Sequence, residues 1–312
     1  MSDGYRGKNS SRNILVMVLA FLATLALAAA IFLFFQTRQT GTELDSSQSG
    51  SSSAAKSEIP SPDPQEQIVP LPPAYDFSQP APAREAVDNL YFEDAAFVGD
   101  SRTDGFMLYS GIACGKNLTS NGLSIFRLAD KKVLTIENEE YTLLEALALE
   151  EYRKVYLSLG INELGIYQDD HFYESYCDAI DQIRRLQPRA VIYIQGLIPL
   201  NEGQIVEANG NKFNLNNEHL RVYNDLMRKA AEEKQAVYLD LYSDFVDENG
   251  ELPLGASRDG VHLKKEACQQ WLEYLKTHTV DFDTLYPNGP PPVAEPEPSQ
   301  PDATTSDGSE PG

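Results

Sequence analysis

The chain has 312 residues, of which 42% are hydrophobic and 23% are charged, so its composition is that of a protein with a packed core. Asp and Glu outnumber Lys and Arg by 47 to 25, and the resulting net charge of −22 argues against a nucleic-acid partner, because phosphate backbones are repelled. Three Cys and four His exclude a disulfide-dense scaffold and leave little material for a zinc site.

The first predicted element is a membrane-spanning helix. Residues 14–35 carry no charged side chain and are long enough to cross a hydrocarbon core of about 30 Å. Arg6, Lys8 and Arg12 precede this span, so residues 1–13 are predicted to be cytoplasmic and the rest of the chain extracellular. A cleaved signal peptide is the alternative, but its apolar region is usually about 7–15 residues long. The sequence therefore favours an uncleaved signal anchor in the cell membrane.

Two low-complexity segments flank a single domain. Residues 36–85 hold eight Pro and nine Ser, and residues 287–312 hold eight more Pro and five acids without a base. Segments of this composition bury too little apolar surface to offset the entropy of folding, so a disordered linker and a disordered acidic tail are predicted. The domain is then predicted at 86–286, where 34 acids are set against 19 bases.

Inside the domain, short apolar runs alternate with amphipathic stretches. Four runs have the character of buried strands, at 95–98, 155–159, 190–194 and 236–239. Apolar residues recur at helical spacing in three stretches, at 172–183, 220–227 and 267–275. This alternation predicts an α/β fold, with a parallel sheet covered by helices on both faces and functional residues at the C-terminal ends of its strands.

A candidate nucleophile follows the first predicted strand, in Gly99-Asp100-Ser101. A Ser at a turn from strand to helix projects from the edge of the sheet. Its own N–H then lies at a helix N-terminus, where developing negative charge is favoured. A plain helix cap is the alternative interpretation, because Asp and Ser are both common N-cap residues.

A candidate base lies at the other end of the domain, in Asp259-Gly260-Val261-His262. A serine nucleophile needs a base to take its proton, and the imidazole needs a carboxylate that fixes its tautomer. Asp259 and His262 are three residues apart on a predicted turn and can supply both groups, with a solvated surface loop as the alternative. The remaining histidines are predicted to be solvated surface residues near helix ends: His171, His219 and His278.

Two further residues can stabilise negative charge on a reacting oxygen. Asn162 follows the predicted strand at 155–159, and its side-chain amide can donate to an oxyanion. Gly122 lies between Ser101 and Asn162 and can bring a backbone N–H close to a substrate. Both are also common turn residues, and Gly111 or Gly115 can replace Gly122 in this role.

The order of these blocks resembles the SGNH/GDSL hydrolase family over about residues 93–278. The resemblance implies a three-layer α/β/α sandwich with a mostly parallel, flavodoxin-like sheet, and ester hydrolysis or acyl transfer as the activity. Carried over by position, it implies Ser101 as the nucleophile, His262 as the base and Asp259 as its orienting partner. It also implies an oxyanion hole formed by the N–H of Ser101, the N–H of Gly122 and Asn162. No cofactor and no metal are expected.

Two residues depart from the family pattern beside the expected site. Arg102 stands where Leu is usual and Glu163 where Asp is usual, which bears on the substrate more than on the activity. Arg102 and the loop residue Arg258 either contact a substrate carboxylate or pair with the many acids of the domain. Residues 247–251 are acidic but lack the spacing of an EF-hand loop, so a turn is predicted there rather than a calcium site.

The predicted tether narrows the expected substrate. A domain held outside the membrane on a flexible linker can reach nearby envelope material, so O-acetyl groups on envelope or secreted glycans are expected. O-acetyl transfer with a multi-span membrane partner and a non-catalytic envelope-binding module are the alternatives. Three cysteines, Cys114, Cys177 and Cys268, allow either one disulfide with one thiol or three reduced thiols, and their spacing does not decide between these.

Overall fold

A computed structural model describes residues 74–293, and a parallel sheet lies at the centre of this region. The strands are β1 (Ala95–Gly99), β2 (Lys116–Thr119), β3 (Leu134–Ile136), β4 (Glu139–Tyr141), β5 (Lys154–Ser158), β6 (Val191–Gln195) and β7 (Val237–Leu239). Five of them pair in parallel in the order β2-β1-β5-β6-β7, while β3 and β4 form a separate antiparallel hairpin. Counted along the chain, the large sheet has the 2-1-3-4-5 order of flavodoxin-like folds.

Helices connect the strands of the large sheet. Within the described residues they are α1 (Ser101–Tyr109), α2 (Leu143–Leu147), α3 (Asp169–Leu186), α4 (Glu202–Asn209), α5 (Asn217–Glu233), α6 (Leu241–Phe245), α7 (Lys265–Thr277) and α8 (Phe282–Leu285). Single turns of 3-10 helix lie at Asn89–Phe92 and Ile125–Arg127. The four strands and three helices predicted from apolar patterns are all present, whereas β2 and the hairpin carry no such pattern.

The sheet separates two apolar cores, because successive side chains of a strand point to opposite faces. In β1, Ala96 and Val98 belong to the core that α3 and α5 cover, and Ala95 and Phe97 belong to the core that α1 and α7 cover. The predicted α/β sandwich with a mostly parallel sheet is therefore confirmed.

A row of aromatic rings fixes the register of the central strands. Phe97, Tyr156 and Tyr193 are cross-strand neighbours on β1, β5 and β6. Their rings stack nearly parallel, with centroids 4.9 Å apart for the first pair and 4.5 Å for the second. Each such pair contributes about 0.5–1.5 kcal/mol beyond the area it buries. In this register Gly99 pairs with Ser158, so the loops that follow β1 and β5 leave the same edge of the sheet together.

The chain joins the domain earlier than predicted. The predicted linker extends to residue 85, yet residues 74–85 pack on the domain. Ala81 is buried and its N–H donates to the carbonyl of Tyr238 (2.9 Å), while the Arg84 N–H donates to Thr277 (2.7 Å). The ring of Phe77 stacks on that of Tyr286. The high Pro and Ser content of the whole predicted linker, 36–85, concealed the few apolar residues near its end that attach it.

The predicted membrane span at 14–35 lies outside the described residues, as do residues 36–73 of the linker and 294–312 of the tail. Within residues 74–293, no helix combines the length and the apolar character that a membrane crossing requires. All three cysteines fall in this region and are free thiols, with Cys177 and Cys268 buried.

His219 is buried rather than solvated, and that prediction is wrong. The residue lies in the first turn of α5, where its Nδ1 contacts the carbonyl of Leu164 and its Nε2 lies 2.7 Å from the carboxylate of Asp169. The ring of Tyr167 stacks on its face. These contacts tie the loop after β5 to α5, and this loop also carries Asn162.

Candidate active site

Ser101 is the first residue of α1 and directly follows the β1 turn. Asp100 caps the helix, and its carboxylate accepts the N–H of Arg102 (2.9 Å). The turn is so tight that a Cβ on Gly99 would lie 2.1 Å from the hydroxyl of Thr103, so a side chain does not fit there. The N–H of Ser101 has no intrahelical acceptor at this position and lies at the positive end of the helix.

One series of hydrogen bonds links Ser101, His262 and Asp259. The Oγ of Ser101 lies 3.1 Å from Nε2 of His262, and Nδ1 of His262 lies 2.8 Å from Oδ2 of Asp259. An ionised carboxylate only accepts hydrogen bonds, so Nδ1 carries the proton and Nε2 is left to accept from the serine hydroxyl. This is the arrangement that a serine nucleophile, its base and an orienting acid require.

The carboxylate of Asp259 is held ionised by its own loop. Partial burial raises its pKa, but the backbone N–H and imidazole of His262 and the N–H of Val261 lower it, and the net pKa is below its ordinary value. Gly260 is at φ +88°, and a Cβ there would lie 2.4 Å from the carbonyl of Asn201. The N–H of Asn201 donates to the carbonyl of Gly260 (3.0 Å), so His262, the candidate base, is held on a fixed loop.

Gly122 and Asn162 face the same site. Gly122 is the third residue of a turn closed by the Leu123 N–H on the Ser120 carbonyl (3.1 Å), and it adopts φ +72°, which such a turn reserves for glycine. Among the hydrogen bonds of the described residues, none uses the Gly122 N–H. The Asn162 amide donates to the Leu123 carbonyl (2.9 Å) and, at the longer distance of 3.3 Å, to Asp100.

The structure corrects one predicted substrate contact. Arg102 is 5% exposed and points beneath α1, where its Nη1 donates to the carbonyl of Ile198 (2.9 Å). One residue further along a helix turns the side chain by about 100°, so Arg102 faces the sheet when Ser101 faces solvent. Burial lowers the pKa of Arg102 to about 10, although Asp100 opposes this. Arg258 is exposed beside the His262 loop and does not line the cleft described below.

The sequence motifs include Asp100 and Glu163 but do not predict that both acids are buried beneath the site. Burial raises the pKa of Asp100 to about 6, although the Arg102 N–H and guanidinium lower it. Burial likewise raises the pKa of Glu163 to about 7, although the N–H of Ile125 donates to that carboxylate. Glu163 follows Asn162 directly. The only sequence signal for its burial was a charged residue next to a strand end.

Replacing Glu163 with Gln is expected to flatten the dependence of stability on pH. Folding raises the pKa of Glu163 from 4.5 to about 7. The contribution of Glu163 to the free energy of unfolding is therefore complete below pH 4.5 and is lost as the pH rises through 7. A change of this size corresponds to about 3 kcal/mol. Gln can still accept the Ile125 N–H, so E163Q should melt several degrees above the native chain at about pH 8 and close to it at pH 4.5.

The control for this comparison is the exposed Glu174→Gln on α3, whose melting temperature should follow the native profile. Asp100 remains in both variants and leaves part of the slope in place. An E163Q profile that runs parallel to the native one across this pH range would show that the buried carboxyl is not the group responsible.

The hydrogen-bonded residues Ser101, His262 and Asp259 line a cleft of about 550 Å³. Its lining combines the predicted site residues with residues from two loops, 161–166 and 209–215: Ser101, Gly122, Ile161, Asn162, Gly165, Ile166, Asn209, Lys212, Phe213, Asn214, Leu215, Asp259, Val261 and His262. Within residues 74–293, no group of three or more His, Cys, Asp or Glu side chains is arranged to hold a metal ion. At 247–251, Asp247 instead accepts the N–H of Asn249 and of Glu251, as in a turn.

A parallel α/β sandwich with a Ser-His-Asp chain at the C-terminal edge of its sheet defines a serine hydrolase. The chain belongs to the GDSL-like Lipase/Acylhydrolase family, whose profile matches residues 97–270, more than half of its length. It is therefore an acylhydrolase of the SGNH type.

Several solved structures are similar to this chain. A proposed platelet activating factor from Streptococcus pneumonia is 20% identical with a TM-score of 0.48, covering 59% of this chain and 82% of its own. A GDSL-like lipase from Bacteroides thetaiotaomicron is 12% identical with a TM-score of 0.46, over 60% and 87% of the two chains. A peptidoglycan O-acetylesterase is 19% identical with a TM-score of 0.40, over 52% and 45%. The comparison with curated proteins finds no match.

Proposed function

We propose that this chain is a membrane-tethered extracellular esterase that removes O-acetyl groups from glycans of the cell envelope or from secreted polysaccharides. The observation that carries the proposal is the chain of hydrogen bonds from Ser101 through His262 to Asp259, facing an open cleft whose lining mixes polar and apolar side chains. Two asparagines of this lining, Asn209 and Asn214, can form hydrogen bonds with the hydroxyl groups of a glycan ester.

The reaction follows from the geometry. Oγ of Ser101 attacks the acetyl carbonyl while Nε2 of His262 takes its proton, and the resulting imidazolium is stabilised by Asp259. The N–H groups of Ser101 and Gly122, with the amide of Asn162, donate to the oxyanion. His262 then protonates the departing glycan oxygen, which leaves an acetyl ester on Ser101. Water attacks this ester with His262 again as the base, and acetate is released.

The proposed location rests on the sequence. The uncharged span 14–35 follows three basic residues, which favours a cytoplasmic N-terminus and a catalytic domain outside the cell. The 38 residues of 36–73 would let that domain reach about 30–35 Å root-mean-square from the end of the span if they behave as a flexible coil. We propose that the ester-bearing polymers within such a distance are surface glycans.

The test is release of acetate from O-acetylated wall glycan by the full chain in membranes. We expect acetate release by the native chain and none above background by Ser101→Ala, and we expect a fluorophosphonate probe to label Ser101 alone. Reaction with the probe and with simple acetate esters, combined with no acetate from any glycan, would reject the substrate. Failure of Ser101 to react with the probe would instead indicate a binding module.

A further inference from the structure

One part of the cleft lining comes from the segment between α4 and α5, residues 210–216, here called the 210–216 loop. Four residues of the cleft lining lie on it, Lys212 to Leu215. None of them belongs to the hydrogen-bonded chain or to the oxyanion donors. The loop therefore faces a bound substrate without taking part in the bond-breaking step.

The backbone of the 210–216 loop is held in one conformation. Gly210 ends α4 at φ +69°, and Asn211 and Asn214 adopt φ +51° and +52°, which cost energy for residues with a side chain. The side chain of Asn211 bridges the loop, since it accepts the Leu215 N–H and donates to the Leu215 carbonyl, both at 2.9 Å.

A close backbone contact joins this loop to the loop after β5. A Cβ on Gly165 would lie 1.9 Å from the carbonyl oxygen of Phe213, so the two backbones approach as closely as glycine permits. The Asn216 amide also donates to the hydroxyl of Tyr167 (2.8 Å). Strained positions that persist between fixed neighbours are typical of ligand-binding segments, because the surrounding structure must compensate for them.

The rigid loop presents an aromatic ring and a cation to the cleft. The side chain of Phe213 is 61% exposed although it is fully apolar, and Ile166 beside the cleft is 49% exposed. An exposed ring at a binding cleft offers a flat face on which the C–H face of a sugar can stack. The ammonium of Lys212 lies 5.0 Å from the centroid of that ring.

Lys212 has no counter-charge of its own. Within residues 74–293, the ion pairs do not include Lys212, although acids greatly outnumber bases in this domain. The charged side chains lining the cleft are Lys212, Asp259 and the titratable His262, and Asp259 is already bonded to His262. An anionic group on the substrate therefore finds one cation without an ion-pair partner in the cleft that Ser101 and His262 also line.

We propose that the 210–216 loop selects O-acetylated glycans that carry a carboxylate, with Phe213 stacking on a sugar ring and Lys212 pairing with the carboxylate. The inference rests on the proposed deacetylation and names its substrate class. A uronic acid of a secreted polysaccharide supplies this chemistry, and so does the free lactyl carboxylate of a wall amino sugar whose peptide has been removed.

The test compares two substrates that differ in one group: acetylated cello-oligosaccharide and its acetylated C6-carboxylate derivative. We expect the native full chain to favour the carboxylate by about 5- to 10-fold in kcat/KM at low ionic strength and by less in about 0.5 M salt. Lys212→Gln should remove this preference, so that its kcat/KM values for the two substrates become equal. Its matched control is the exposed Lys265→Gln on α7, which should behave as the native chain.

Phe213→Ala should lower kcat/KM for both oligosaccharides by about 5- to 10-fold and for methyl acetate by a smaller factor, whereas Phe213→Tyr should restore the oligosaccharide rates. The exposed Leu254→Ala, which lies outside the cleft, is the matched control. A third arm with O-acetylated wall glycan stripped of its peptides, which carries free lactyl carboxylates, identifies the source, since the better of the two carboxylated substrates is the natural class. Equal rates on the neutral and carboxylated oligosaccharides, or a preference that survives in Lys212→Gln, would overturn the inference. Cleavage of methyl acetate without cleavage of any glycan would overturn the proposed function instead.

Discussion

Ser101→Ala should lower kcat for p-nitrophenyl acetate by about 10⁴-fold or more, without a change in fold. The serine hydroxyl is the group that would form the covalent bond, and Ala leaves only binding and oxyanion donors. Because Ser101 makes one hydrogen bond, to His262, its loss should change the melting temperature little. Kinetics on the purified full chain and a thermal melt measure the two effects separately.

The matched control is the exposed Ser243→Ala on α6, whose hydroxyl bonds to Asp240 and which does not line the cleft. It should retain the native rate. His262→Ala should lose as much activity as Ser101→Ala, and the double variant should be no slower than either, because the two groups act as one unit. Losses that multiply in the double variant, or a Ser101→Ala enzyme with native kcat, would exclude this serine as the nucleophile.

Sequence patterns predicted the parts of the fold that depend on apolar periodicity. Apolar runs marked β1, β5, β6 and β7, all buried, while β2 escaped because Lys116–Thr119 is a polar edge strand. Ser101, Asn162 and the 259–262 turn were found because they follow strands or precede a helix, where parallel sheets place functional side chains. That placement depends only on the neighbouring residues of the sequence, so it could be predicted from the sequence.

Side-chain direction and burial could not be obtained in this way. Arg102 and Ser101 are neighbours, yet one side chain points beneath α1 and the other into the cleft. His219 is a polar residue near a helix start, so the sequence alone predicts a surface position. It is buried only because Leu164 and Tyr167 pack against it. Lys212 and Phe213 reach the cleft because Gly165 lets two distant loops touch, and this contact leaves no periodic signal.

Asn162→Ala should lower kcat by about 10²–10³-fold, the cost of removing one oxyanion donor. Of the two hydrogen bonds made by this amide, the one to Leu123 is short, at 2.9 Å, and fixes the side chain. The one to Asp100 is long, at 3.3 Å, so an oxyanion competes with that carboxylate for a weakly held hydrogen. KM should change little, because the interaction gains strength only as negative charge develops on the substrate oxygen.

Asn162→Asp separates charge stabilisation from simple loss of contact. It is close in size to Asn but replaces the donor with a carboxylate facing both the oxyanion and Asp100, so kcat should fall further than in Asn162→Ala. Lowering the pH should recover part of this additional loss, since one of two neighbouring carboxyls then takes up a proton. If Asn162 served only to hold the loop, Asp and Ala would lower kcat equally and in proportion to a lower melting temperature. A larger loss in Asn162→Asp, at an unchanged melting temperature, identifies the amide as a donor to the developing charge.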